Sequence, residues 1–153
     1  METVLTLSLP AELPQLPAFI GAVTKAAESS GVSPETIFNI ELTLEEALVN
    51  IINYAYEGKQ GEIGVACKAG NRSFSVEITD AGKAFDMTSL PAPDLSADIA
   101  DRQIGGLGIY FINKLTKQVT YRREEEKNIL AMTFGVTEPG AQSGERDDIF
   151  EDD

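Results

Sequence analysis

The chain has 153 residues, 42% hydrophobic and 24% charged, which is the mix of one globular domain with room for a real core. Lys and Arg number 12 against 25 Asp and Glu, and the resulting −13 argues against nucleic acid or an anionic membrane surface as the main partner. With one cysteine, Cys67, and no histidine, neither an internal disulfide, a thiolate zinc site, a Ser-His-Asp triad nor a phosphohistidine relay can be built on this chain alone.

The opening string METVLTLSLPAELPQ has no basic stretch and no long apolar run, so no signal peptide is expected. No run of about 18 uncharged apolar residues occurs, so no membrane span is expected either, and a soluble cytoplasmic domain remains. Residues 4–9 alternate, with Leu5, Leu7 and Leu9 against Val4, Thr6 and Ser8, and predict a strand ending at Pro10. A loop holding Pro10, Pro14 and Pro17 leads into a helix over 18–30, where Phe19, Ile20, Val23, Ala26 and Ala27 recur at helical spacing before Gly31.

Ser33 as N-cap, Pro34 at N1 and Thr36 at N3 open the longest predicted helix, which runs to about Tyr56 ahead of Gly58. Alternating segments over 62–68 and 73–79 predict a hairpin, with Gly70-Asn71 at its turn. Residues 80–103 show no period and read as a long loop, a length that inside a compact domain is usually functional or disordered. A short apolar helix over 105–115 follows, entered through glycines, then strands over 119–123 and 129–136 around a charged turn at 124–128. From Glu138 the composition turns to Pro, Gly, Ser and acids, which predicts a disordered acidic tail. The order β-α-α-β-β-loop-α-β-β implies an α+β two-layer sandwich, its mostly antiparallel or mixed sheet covered by helices on one face. The expected division is one domain over 1–137 and a tail over 138–153.

At about 100° per residue, Asn39, Thr43, Glu46, Asn50, Asn53 and Glu57 fall on one stripe of the long helix, opposite Ile37, Ile40, Leu44, Leu48, Ile51, Ile52 and Ala55. A solvated polar face is one reading. The other rests on the absence of any cation in the stripe: its amides and carboxylates can donate oxygen to a hard cation and accept a hydroxyl proton, and Glu46 and Asn50 at i and i+4 can meet at one site.

Asp80-Ala81-Gly82-Lys83-Ala84-Phe85-Asp86 leaves the strand over 73–79. Asp80 can serve there as a held acceptor, with Gly82 letting backbone approach a flat ligand; an Asx-type turn with Phe85 in the core is the alternative. Gly105, Gly106 and Gly108, with Leu107 among them, open the third helix, where N–H groups and the helix dipole favour a phosphate. The motif is not a P-loop, since no Gly-Lys-Ser/Thr follows, and no parallel strand precedes it as in a dinucleotide fingerprint.

In that order the motifs resemble the GHKL (Bergerat-fold) ATPases. Glu46-Ala47-Leu48-Val49-Asn50 with Asn53-Tyr54-Ala55-Tyr56 resembles their N box. Asp80-x-Gly82-x-x-Phe85-Asp86 resembles the G1 box, and Gly105-Gly106-x-Gly108 the G2 box. The likeness spans about residues 4–136, and size and the EALVNIINYAY string look most like the anti-sigma-factor serine kinases. The resemblance implies three helices on one sheet face and a site for ATP and Mg²⁺. Asn50 would hold the metal, Glu46 would be the catalytic base for a serine hydroxyl, and Asp80 would accept from the adenine amino group with Gly82 giving room. Asn53, Phe85, Gly105, Gly106, Leu107 and Gly108 complete the implied nucleotide-binding set, with a lid over about 87–104.

Tyr54 stands where many relatives have histidine, Arg102 is the one lid arginine, and Lys83 reads as a solvated loop lysine. The implied partners are a sigma factor, a STAS-domain anti-anti-sigma factor carrying the acceptor serine, and a second copy of the chain, without direct nucleic acid or membrane contact. The open alternative is an ATP-gated protein-binding switch without phosphoryl transfer.

Overall fold

The computed structural model describes residues 1–89 and 104–136, with the backbone alone for 104–109. The expected tail, Arg102 and the greater part of the expected lid lie outside the described residues.

Strands β1 (Glu2–Pro10), β2 (Glu62–Gly70), β3 (Ser73–Asp80), β4 (Gln118–Glu124) and β5 (Lys127–Gly135) form one sheet in the order β1-β2-β3-β5-β4, every neighbouring pair antiparallel. The period of two puts one set of side chains from each strand on the same face. Pairing then stacks them in rows: Leu7, Val65, Ile78, Leu130 and Tyr121 form one, and Leu5, Cys67, Val76, Met132 and Val119 the next. That face is covered by α1 (Leu16–Ser29), α2 (Pro34–Asn50) and α3 (Ile104–Leu115), with α2 packed against both other helices. The expected α+β architecture is the one observed. Cys67 lies fully buried in this core, and burial pushes its thiol up to about 12.

The helix ends follow local chemistry. Gly31, at φ +82°, donates to Glu28 O, and Val32 donates to Ala27 O while burying its side chain, which is the Schellman stop. At the start of α2, Ser33 Oγ accepts from Thr36 N at 3.3 Å with Pro34 in the first turn.

Three local features differ from the sequence expectation. The long helix does not run evenly to Tyr56: regular α2 stops at Asn50 and a π-helical turn, Ile51–Ala55, follows, closed by Tyr56 N donating to Ile51 O. The wider turn takes in one extra residue; Ile51, Ile52 and Ala55 are buried in it, and Tyr56 is buried just after it. In the first hairpin the turn residues are Asn71 and Arg72, both at positive φ, one place later than Gly70-Asn71. In the second they are Glu125 and Glu126, likewise at positive φ, so Asn128 belongs to β5 and not to the turn. Among the described residues no helix is long and apolar enough to cross a membrane.

Candidate nucleotide site

One row of the inner face turns from apolar on β2 to polar on β3, β5 and β4. Register places Ile63, Asp80, Asn128 and Arg123 side by side across β2, β3, β5 and β4. Asp80 is 3% exposed, and its Oδ1 accepts from Gly82 N and from Asn128 Nδ2, each at 2.9 Å. Burial raises the Asp80 pKa above its ordinary value, against the opposing pull of those two bonds and of the Arg123 charge. A carboxylate kept inside such a row is costly for the fold alone.

The segment after Asp80 is tied to the π turn. Lys83 N donates to Ala55 O at 2.9 Å, and Lys83 Nζ pairs with Glu57 Oε2 at 3.0 Å in the open. The Phe85 and Tyr54 rings lie 5.5 Å apart, centroid to centroid. The Lys83 side chain stays at the surface, as expected; it is the backbone of Lys83 that ties the loop to the turn. A Cβ on Gly82 would sit 2.6 Å from Ala55 O and 2.9 Å from Ala55 Cβ, so this glycine is required by the close approach of loop to turn. Tyr56 OH donates to Glu62 O at 2.6 Å and accepts from Ala81 N at 2.9 Å, bracing the start of the same loop.

The polar stripe of α2 is not a solvated face at its middle. Thr43 and Asn50 are buried and Glu46 is half-buried, while Asn53 and Glu57 are exposed. Thr43 satisfies its hydroxyl on the carbonyls of Asn39 and Ile40. Asn50 is not fully satisfied: Nδ2 donates to Glu46 O at 2.8 Å, but Oδ1 is buried and has no hydrogen-bond partner among the described residues. An unmade bond of that kind costs about 1–3 kcal/mol, so an amide oxygen held this way fits a ligand better than it fits the core. Its chemistry suits Mg²⁺, a hard cation that takes one or two protein oxygens and completes its shell with phosphate and water. Among the described residues no group of three or more His, Cys, Asp or Glu could hold a metal without such help. Burial, and then the neighbouring Glu45 charge, raise the Glu46 pKa above its ordinary value.

Gly105, Gly106, Leu107 and Gly108 occupy the first five residues of α3, so their backbone lies at that helix's N-terminal end. The structure thus joins the Asp80 loop to the end of α2 through the π turn. Two contributors were missing from the sequence reading, Asn128 and Arg123; Tyr56 stood in the N-box string, but without the bracing role it has here. Asn128 had a legible signal, because extending the alternation of β5 back from Leu130 puts it in the buried phase.

Residues 9–134 match the model of the histidine kinase-like ATPase domain. The chain belongs to this family. It is 31% identical over 129 residues to the serine-protein kinase RsbW of Halalkalibacterium halodurans, across 79% of this chain and 78% of that one. It is 31% identical over 97 residues to the serine/threonine-protein kinase BtrW of Bordetella bronchiseptica, across 63% of this chain and 68% of that one. Within the histidine kinase-like ATPases, the chain therefore falls among the protein serine/threonine kinases. The RsbU and RsbW domains of Rv1364c from Mycobacterium tuberculosis share the fold, with a TM-score of 0.61 and 15% identity over 88% of this chain. The chain spans 32% of that longer one.

Proposed function

We propose that this ATPase-family chain binds Mg-ATP between the Asp80 loop, the end of α2 and the start of α3, and phosphorylates a serine of a STAS-domain partner while acting as an anti-sigma factor. The observation that carries the reading is the pair one turn apart on α2. Asn50 holds an unpaired buried oxygen suited to the metal, and Glu46 beside it is a half-buried carboxylate of raised basicity. A protein that only bound nucleotide would need no such base next to the metal ligand.

Asp80 accepts from the adenine amino group. Both of its bonds among the described residues end on Oδ1, which leaves Oδ2 for the base. Gly105, Gly106, Leu107 and Gly108 supply the helix N-terminus to the phosphates, and Asn53 and Phe85 border the nucleotide. Magnesium, when bound, neutralises phosphate charge. The serine oxygen forms a bond to the γ-phosphorus, the bridging bond to the β-phosphate breaks, ADP leaves, and the hydroxyl proton passes to Glu46. Positioning is most of the task, since phosphoryl transfer asks little covalent chemistry of the protein.

The named relatives support the serine-kinase class, and the sigma factor, the STAS partner, a homodimer and a cytoplasmic place belong to the same reading. Incubating the chain with Mg-ATP and candidate STAS proteins tests it. An added phosphate on a serine, seen by intact mass and peptide mapping, is the expected result. Tight Mg-ATP binding without transfer to any such protein would favour the ATP-gated switch.

A further inference from the structure

Asn128 was not part of any motif, yet it makes more side-chain bonds than any other described residue of the site. Its Nδ2 donates to Asp80 Oδ1 at 2.9 Å and to Lys83 O at 2.8 Å. Its Oδ1 accepts from Phe85 N at 3.2 Å, Tyr121 OH at 2.6 Å and an Arg123 guanidinium nitrogen at 3.0 Å. The residue is 4% exposed, and its bond to Asp80 is made away from water. Arg123 also reaches Gly82 O at 2.9 Å, so the β4–β5 hairpin grips the loop at two carbonyls, Gly82 and Lys83.

We infer that Asn128 is a positioning residue for nucleobase recognition: it fixes the rotamer of Asp80 and the course of residues 82–85 so that one carboxylate oxygen faces the base. This rests on the reading of Asp80 as the adenine acceptor. The physical argument is about competition for that carboxylate. A buried Asp without a fixed partner would turn either oxygen to any donor within reach. Two donors converging on Oδ1, one from the loop and one from the next strand, leave a single oxygen with a defined direction. An amide is suited to the position because it donates and accepts at once. A carboxylate there would supply no donor to Asp80, and an aliphatic residue would strand the Lys83 carbonyl and the Phe85 N–H.

The role differs from plain stability, because it is read in which base is bound and not only in how much protein is folded. ATP and GTP differ at the edge that Asp80 meets: adenine presents an amino group where guanine presents a carbonyl. Calorimetry of Mg-ATP and Mg-GTP on the parent, Asn128→Ala, Asn128→Asp and Asn128→Ser reads this directly. Asn128→Asp keeps the shape and the three acceptor bonds that hold the hairpin but sets a second carboxylate against Asp80. Asn128→Ser brings no charge and is too short to span both donor partners, so it carries the test if the other two do not fold. The expected result is an ATP affinity lower by about tenfold or more, with the ATP-over-GTP preference falling by a similar factor. In an Asp80→Asn background the Asn128 changes should add little to the loss of preference, because both act through one carboxylate. If Asp80→Asn weakens ATP while the Asn128 variants keep the parent's base preference, the inference is overturned and the reading of Asp80 stands. If the parent's ATP affinity is indifferent to Asp80→Asn, the adenine-acceptor reading fails and the inference falls with it.

Discussion

Asn50 Nδ2 donates to Glu46 O across 2.8 Å, one helical turn back, and that bond decides which end of the amide is left over. The oxygen remains, buried and unpaired. The same turn of α2 therefore presents the proposed metal ligand and the proposed base in a fixed relation.

Asn50→Ala should consequently weaken Mg-ATP far more than it weakens ATP in the presence of a chelator, since the lost oxygen's contact is with the ion. The fold should hold, because removing an unsatisfied buried oxygen relieves a cost even as the Glu46 carbonyl loses a donor. Titration calorimetry with and without magnesium reads the difference. Equal losses under both conditions would make Asn50 a packing residue only.

Glu46→Gln keeps size and helix propensity and removes only the basic oxygen. Mg-ATP affinity should stay within a few fold of the parent, while transfer to the serine falls by roughly 10²–10⁴-fold. The parent's rate should fall in acid as Glu46 takes up its proton. Because its pKa is raised from the ordinary 4.5, that fall should be centred above 4.5. Glu46→Gln should lack this acid limb, and a rate equal to the parent's would exclude Glu46 as the base.

Asp80→Asn separates function from stability. The amide oxygen can keep both bonds made by Oδ1, and the new NH₂ replaces the acceptor offered to the base. Loss of a charge-assisted bond should cost about 1.5–3 kcal/mol of ATP binding, roughly ten- to a hundredfold. The sign for stability is the opposite. With its folded pKa raised above 3.8, Asp80 favours the fold when protonated, and that contribution is lost as pH rises through the folded pKa. The variant should therefore match or exceed the parent in Tm near pH 7, with the gap closing in acid. A variant that unfolds at neutral pH would show that the carboxylate is structural.

Gly82→Ala should cost about 1–3 kcal/mol of stability, because the new Cβ meets backbone and not a side chain that can swing away. The Ala55 carbonyl it would strike also accepts from Lys83 N, so loop and π turn should part together. A drop of several degrees in Tm with weakened ATP binding is the expected pair of results; an unchanged Tm would mean that the loop is not clamped there.

Much of the fold could be read from residues in order. The alternation of Leu5, Leu7 and Leu9, the Ser33-Pro34 start and the Gly31 stop are local rules, and each element appears within a few residues of its expected place. The chemistry of Glu46 with Asn50 was equally local, because i and i+4 share a helix face whatever surrounds it. Whether that face was solvated was not local. Only the packing of α2 between its neighbours buried Thr43 and Asn50.

By itself, the sequence determined the elements, the family and the residue types able to meet a metal, a hydroxyl and a base. The tertiary structure alone decided which groups complete them. Asn128 lies 48 residues from Asp80 and reaches it through the pairing of β3 with β5. The turn at Glu125-Glu126, set by backbone conformation at those two residues, is what puts Asn128 into the strand in the buried phase. The π turn was also invisible, since Ile51, Ile52 and Ala55 fit a regular helix equally well by period. It leads into Tyr56, whose hydroxyl finds partners on Glu62 and Ala81, and those contacts exist only once the sheet has folded against the helix.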